Sequence, residues 1–343
     1  MSTRRIAELA GVSSSTVSLA LRGSPKIPEE TRRRVMKIAE RFGYRPNAKV
    51  TELMSQVRRS ASEASQACFG VISFYEQERP WESSPHLQRI YESMSQRAKE
   101  LRYRVEPLWL RARGMTHRRL CTILDARGIE GILCLGSPDV DEVFPAEFDH
   151  YAIVTQGISI KMPLHRVRTH ASGDMARLLD AVHRLGYRRP GLLIGHHSLI
   201  RNADTYISAF LGWCFQKFGK PLPLPLLRLA RAEEEPLLSW LEKQRPDVVV
   251  AVHAREALIE LGAVLQRNGI GWPKDIGIAA ISQVLEGTGF DGLQAHQKLL
   301  GEWSVELLVD RIVNHDLGIP QYPRTVLVDS QWVGGRSLRL SLG

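Results

Sequence analysis

Apolar residues in the first sixty positions recur at helical spacing in short runs broken by glycine and proline. Ile6, Leu9 and Ala10 share one face of a first helix, which Thr3 can cap. Gly11 suits the left-handed residue at its end. Ser13 can cap a second helix over residues 14–21, which buries Val17, Ala20 and Leu21 and leaves Ser14, Ser15, Ser18 and Arg22 outside. Gly23-Ser24-Pro25 breaks that helix. A third begins near Pro28, with Glu29 and Glu30 where the helix dipole favours acids and an apolar stripe of Val35, Ile38, Ala39 and Phe42 before Gly43. Two short helices joined by a glycine turn and packed by a third form the helix-turn-helix plan. The segment 47–55 after Pro46 is too short and too weakly amphipathic to hold as a helix alone. With the Ser/Ala-rich stretch beyond it, it predicts a linker that becomes helical when a partner holds it.

From residue 66 the pattern changes to short continuous apolar runs that alternate with amphipathic stretches. The runs are 69–72, 131–135, 151–154, 191–194, 248–252 and 276–281; helical patterns fall at 87–101, 116–127, 172–185, 204–218, 254–268 and 298–314. Continuous runs between helices predict parallel strands covered on both faces, hence a doubly wound α/β body long enough for two lobes. The expected division is a helix-turn-helix domain over 1–46, a hinge helix and linker over 47–65, and a core over 66–343. Within the core, one lobe takes about 66–162 and 293–322 and the other about 163–292 and 323–343.

Charge sharpens this division. Residues 1–60 hold thirteen Lys/Arg against five Asp/Glu, whereas the other 283 residues hold 33 against 32. The excess of the +9 chain is thus confined to the helical head, as in a small nucleic-acid-binding module on a neutral body. No apolar run reaches eighteen residues and no signal core opens the chain, so a cytoplasmic protein is expected. Cys68, Cys121, Cys134 and Cys214 lack the spacing of a zinc or redox pair and read as buried free thiols.

The run Ile6-Ala7-Glu8-Leu9-Ala10-Gly11-Val12-Ser13-Ser14-Ser15-Thr16-Val17-Ser18, with Gly43-Tyr44-Arg45-Pro46-Asn47, resembles the signature of the LacI/GalR family of repressors. The resemblance runs through residues 3–55. It implies that the second helix enters the major groove, with Ser14, Ser15 and Leu19 facing base edges. Thr3, Ser13, Thr16, Ser18, Arg22, Thr31, Tyr44 and Asn47 would hold the DNA backbone. Val50 and Leu53 would belong to a hinge helix in the minor groove, Leu53 as a wedge between base steps. Many family members carry arginine where this chain has Leu19. Leucine cannot make the two-bond contact to guanine; it can touch a thymine methyl or simply pack. The resemblance further implies a homodimer on operator DNA, with the helix over 86–101 and the helix following Gly301 as dimer candidates. It also implies a core like periplasmic sugar-binding proteins, two lobes around a cleft for a sugar-like effector.

For that cleft the candidates at strand ends are Phe74, Tyr75, Arg201, His253 and Ser282, with Trp81 and His86 in the first loop. The stretch Ala280-Ile281-Ser282-Gln283 has no acid where the family often places one for sugar hydroxyls. His196-His197 has no companion ligands and reads as surface loop. The cluster Asp139, Asp141 and Glu142 reads as a solvated helix start. No Gly-x-Ser-x-Gly, phosphate-binding Gly-rich loop with lysine or His-Glu-x-x-His occurs, so no enzyme, cofactor or metal is expected. Three readings stay open: an effector-controlled DNA-binding repressor; a small-molecule-binding or catalytic α/β protein with a basic tether; and a DNA-binding regulator with an empty cleft.

Overall fold

A computed structural model describes residues 3–21, 27–41, 67–137, 143, 144, 146–195, 203–219, 226–229 and 233–339. The head contains α1 (Thr3–Ala10), α2 (Ser14–Leu21) and α3 (Glu29–Arg41). Their shared core is Ile6, Ala7, Ala10, Val17, Ala20, Val35 and Ala39, with Val12, Leu21, Ile27 and Ile38 packed at its margin. Leu9, expected inside, is 46% exposed. At 100° per residue it lies about 110° from the centre of the face that Ile6, Ala7 and Ala10 define, so Ala7 takes the inner position. Phe42 lies outside the described residues.

The body is built on two six-stranded sheets. The first contains β1 (Cys68–Ser73), β2 (Arg104–Trp109), β3 (Gly131–Cys134), β4 (Ala152–Gln156), β5 (His165–Thr169) and, from the far end of the chain, β11 (Thr325–Val328), in the order β11-β5-β4-β3-β1-β2. The second contains β6 (Pro190–Gly195), β7 (Leu226–Leu229), β8 (Val248–Val252), β9 (Gly277–Ser282), β10 (Asp291–Gln294) and β12 (Gln331–Val333), in the order β12-β10-β9-β8-β6-β7. The strand pairings among the described residues are parallel, as expected of a doubly wound body, except β10–β12. β12 follows β11 after two residues, and so short a link from the neighbouring sheet lets it run back along the β10 edge.

Helices α4 (Pro85–Glu100), α5 (His117–Ala126) and α10 (Gln297–Asn314) flank the first sheet. Helices α6 (Ala171–Arg184), α7 (Ala203–Phe218), α8 (Glu234–Gln244) and α9 (Arg255–Arg267) flank the second. Central strands are buried on both sides. In β1, Phe69 and Val71 join the core under α4 and α10, while Cys68 and Ile72 join the core under α5. In β9, Ala279 and Ile281 face α6 and α7, while Ile278 and Ala280 face α8 and α9. Two-sided burial is why these strands read as continuous apolar runs. The four cysteines are buried and unpaired, as expected.

The expected lobe boundaries need correction. Residues 165–169 and 325–328 were assigned to the second lobe, but β5 pairs with β4 and β11 with β5 in the first sheet. Residues 293 and 294 were assigned to the first lobe, but they end β10 in the second. The chain therefore crosses between sheets after Thr169, after Gln294 and after Val328. The boundaries were misplaced because β5, His-Arg-Val-Arg-Thr, shows no continuous apolar run.

The two proposed dimer helices pack on each other within the chain. Gly301 lies inside α10 against α4, where an added Cβ would stand 2.6 Å from the Ile90 carbonyl and 3.0 Å from the Met94 nitrogen. Both neighbours are backbone, so a methyl group must push the helices apart. Gly301→Ala is therefore expected to destabilise the body by about 1–3 kcal/mol. The check is a lower urea midpoint with an unchanged slope.

Candidate functional site

In the head, α1 closes on a left-handed Gly11 at φ +67°, and the Val12 N–H donates back to the Ala7 carbonyl at 3.0 Å. That turn delivers Ser13 to the start of α2. Its hydroxyl accepts the Thr16 N–H at 3.1 Å and hydrogen-bonds the Thr16 hydroxyl at 2.8 Å. Ser13 is thus the cap of α2, a job separate from any contact with DNA. Leu19 and Thr31 are partly buried, which leaves Leu19 one edge for packing and one for contact. Thr3, Ser14, Ser15 and Ser18 are helical in backbone, with side chains outside the description. Arg22, Tyr44, Asn47, Val50 and Leu53 lie outside the described residues, as do Arg201, the His196-His197 pair and the cluster Asp139, Asp141 and Glu142.

The body's candidate site follows from topology. Each crossing leaves from the C-terminal end of a strand, β5, β10 or β11, so the C-terminal edges of both sheets meet at the crossings. Open parallel sheets bind ligands outside that edge. The crossings are stitched together there. The His170 N–H donates to the Val328 carbonyl at 2.9 Å, and His170 Nδ1 lies 2.9 Å from Asp329 Oδ1. Fully buried Asp174, in the first turn of α6, accepts the Ser330 N–H at 3.0 Å and the Ser330 hydroxyl at 2.5 Å. Burial pushes its carboxyl pKa up against the downward pull of the Ser330 hydrogen bonds.

The second crossing has its own clasp. Arg89 of α4 reaches both oxygens of Glu286, each at 3.1 Å, and Glu286 also accepts from Gln294 Nε2 at 2.8 Å. Gln294, fully buried, accepts the Leu285 N–H at 2.6 Å through its other end. Gln297 of α10 donates to the Gln283 carbonyl. Arg89 and Glu286 are 45% and 48% exposed, so their pair contributes at most about 1 kcal/mol and serves to orient the two bodies.

The expected effector residues separate into two groups. Phe74 is 1% exposed and packs edge-on against Phe144 at 5.6 Å, so it is core. Trp81 is stacked flat on Tyr91 at 4.1 Å and is likewise committed. Tyr75, His86, His253 and Ser282 stand at the seam. The Tyr75 carbonyl accepts the Trp109 indole N–H at 2.9 Å. The His253 ring lies over Gly195, where an added Cβ would come within 2.5 Å of it, and its Nδ1 accepts the Ala254 N–H at 2.9 Å. The His86 imidazole has its pKa pushed down to about 4 by burial and by the Arg89 charge. His86 Nδ1 and the Ser282 hydroxyl are buried with no hydrogen-bond partner among the described residues. The reading from sequence missed Arg89, Glu286, Asp174 and Ser330. Arg89 and Glu286 are 197 residues apart, and no local pattern signals such a pairing.

Among the described residues no group of three or more His, Cys, Asp or Glu is arranged to hold a metal, and no helix is long and apolar enough to cross a membrane.

A three-helix basic head precedes a body of two parallel-rich sheets. Residues 4–47 match the family model described as bacterial regulatory proteins, lacI family. Among curated proteins, the chain is 45% identical over 51 residues to the probable HTH-type transcriptional repressor ExuR of Bacillus subtilis (strain 168). It is 50% identical over 44 residues to the HTH-type transcriptional regulator AglR of Rhizobium meliloti (strain 1021). These matches span 15% and 13% of this chain and only 15% and 12% of the relatives' lengths. Over almost the whole chain the fold resembles that of a CelR–cellobiose complex, with a TM-score of 0.58 and 20% identity over 98% of this chain and 99% of that one. It also resembles the lac repressor dimer bound to operator and the anti-inducer ONPF, with a TM-score of 0.60 and 16% identity over 98% of each chain.

Two outcomes follow. Ser13→Ala removes the cap of α2 and is expected to cost the head about 0.5–2 kcal/mol, read as a lower thermal midpoint. The depressed pKa of His86 means that the fold favours its neutral form. Its contribution is complete above the ordinary value of 6.5 and is lost as pH falls through about 4. Chemical denaturation across that window should show a decline that His86→Gln flattens.

Proposed function

We propose that the chain is a sequence-specific DNA-binding transcriptional repressor whose operator affinity is set by a small molecule in the seam between its two sheets. The observation that carries this is the head: an Ala7-to-Val12 turn and a Ser13-capped α2 within a segment that matches the lacI family model over residues 4–47. The concentration of the chain's net positive charge in residues 1–60 supports it. In this reading α2 enters the major groove. Ser14, Ser15 and Leu19 meet base edges, and Thr3, Ser13, Thr16, Ser18, Arg22, Thr31, Tyr44 and Asn47 hold the sugar-phosphate backbone. Val50 and Leu53 act from a hinge helix in the minor groove. Two copies give two half-sites of a roughly palindromic operator. In this reading the body works as a sensor and not as an enzyme.

The mechanism follows from the stitched seam. Polar bonds that join the crossings are short-range and directional, so a ligand between the sheet edges changes their geometry when it binds. The change passes to residues 42–66, which connect the first sheet to the head.

The test is selection of bound DNA from a random pool by the purified full chain, followed by titration of the winner at several salt concentrations. The expected result is one recurring half-site and an affinity that falls as a power of salt concentration. Leu19→Arg should change the selected base at one position of each half-site, towards guanine. Binding that is indifferent to sequence, or selection unaltered by Leu19→Arg, would count against the assignment.

A further inference from the structure

A second cavity lies beside the seam, on the outer edge of the second sheet. β12 is the end strand of that sheet, and Trp332 at its centre stands opposite Leu293 of β10. Opposed residues of neighbouring strands share a face. Leu293 is buried in the core under α6 and α7, so the indole lies on the α6 side, past the last covered strand. Trp332 remains 45% exposed.

Between the indole and α6 is a cavity of about 230 Å³, lined by Arg177, Asp180, Ala181 and Arg184 of the helix and by Leu293 and Trp332 of the sheet. Residues 177, 181 and 184 are four and three apart, so they form one row along α6. The cavity thus combines an apolar floor of Leu293 and Ala181, an aromatic wall and a guanidinium at each end of the row. Apolar and aromatic surface with a few converging polar groups is the usual make-up of a small-molecule site. None of the seam groups Tyr75, His86, His253 and Ser282 lines it.

The charges select the ligand. Asp180 accepts the Trp213 indole N–H at 2.8 Å. Arg177 is shared between two carboxylates of the third crossing, 3.3 Å from Asp174 and 4.0 Å from Asp329. Arg184 donates to the Asp180 backbone carbonyl at 3.3 Å and meets no carboxylate among the described residues. Two cations against one acid leave the lining with a single positive charge to match. A guanidinium fork suits a carboxylate, and an exposed indole face suits a flat ring. The volume lies below the range of drug-sized sites, so an acid of one or two rings fits and a nucleotide does not.

We propose that this cavity binds a small aromatic monocarboxylate, with its ring between the Trp332 indole and the Leu293–Ala181 floor and its carboxylate on Arg184. The site does not depend on the regulator reading above. Through Arg177 it borders the carboxylates that hold the third crossing.

The experiment is calorimetric titration of the full-length chain with benzoate and indole-3-acetate, with benzamide and acetate as matched controls. At least one aromatic acid is expected to bind, and both controls to bind at least about tenfold more weakly. Arg184→Gln should weaken the acid by about tenfold, and Arg184→Lys should restore part of the loss. Trp332→Ala should weaken it by a similar factor and Trp332→Phe by less. Ser282→Ala, in the seam, should leave it unchanged. Arg184 is exposed, so the unliganded melting temperature of its variants should match the parent's; if Trp332→Ala melts lower, Arg184→Gln and Trp332→Phe decide. Several outcomes would overturn the proposal: no binding of either acid, equal affinity for benzamide, binding indifferent to Arg184→Gln, or binding lost with Ser282→Ala. A change in oligomeric state on Trp332→Ala, read by sedimentation, would also overturn it, since the indole would then be a contact between copies of the chain.

Discussion

The body depends on one constraint: every passage of the chain between the two sheets leaves from the C-terminal end of a parallel strand. That brings the C-terminal edges of both sheets to a single seam. It also makes the seam the place where the chain must turn, and turning chain exposes backbone polar groups that need partners. Asp174 answers this need most directly. A buried carboxylate is costly alone, but here it receives the backbone N–H and the hydroxyl of Ser330 from the last crossing. Removing it would orphan both donors. The same group that ties α6 to the third crossing therefore fixes how β11 and β12 hand the chain from one sheet to the other.

The clasp at the second crossing is of a different kind. Arg89 and Glu286 are about half exposed, so their pairing in water is weak, yet Glu286 is oriented by a fully buried Gln294 whose other end is spent on the Leu285 N–H. The combination gives a defined geometry with little stabilisation behind it. A buried apolar interface would resist a change of angle between the bodies, whereas this one can be broken by a ligand of ordinary affinity. Asp174 preserves connectivity and Arg89 sets orientation.

What the sequence showed follows this distinction between core and edge. Strands buried on both faces, such as β1, β8 and β9, announce themselves as unbroken apolar runs, and the helices that cover them show their period to within a residue or two, except α8, which the sequence pattern did not mark. The strands that escaped are different. β2, β7, β11 and β12 lie at sheet edges, where one side need not be apolar. β5 and β10 lie next to those edges and contain Arg166 and Arg168 or Gly292. Missing β5 displaced the lobe boundary. In the head, motif and period marked α1 to α3, but periodicity alone misjudged Leu9, because a two-turn helix has too few residues to define its apolar face. Phe74 was misjudged for a related reason. It stands one residue past the end of β1, where sequence cannot tell whether an aromatic ring turns towards the edge or back into the core against Phe144.

These differences bear on how head and body came to be combined in one chain. The helix-turn-helix motif is written locally, in consecutive residues, so it is legible and can be matched across relatives that share only 15% of this chain. The seam is assembled from β1, β8, β9 and α4, each supplying a residue or two separated by up to some two hundred positions. Substitutions there change ligand chemistry without disturbing the fold, since strand ends carry little of the packing. The fold thus constrains where the seam lies, and a handful of side chains at strand ends decides its polarity.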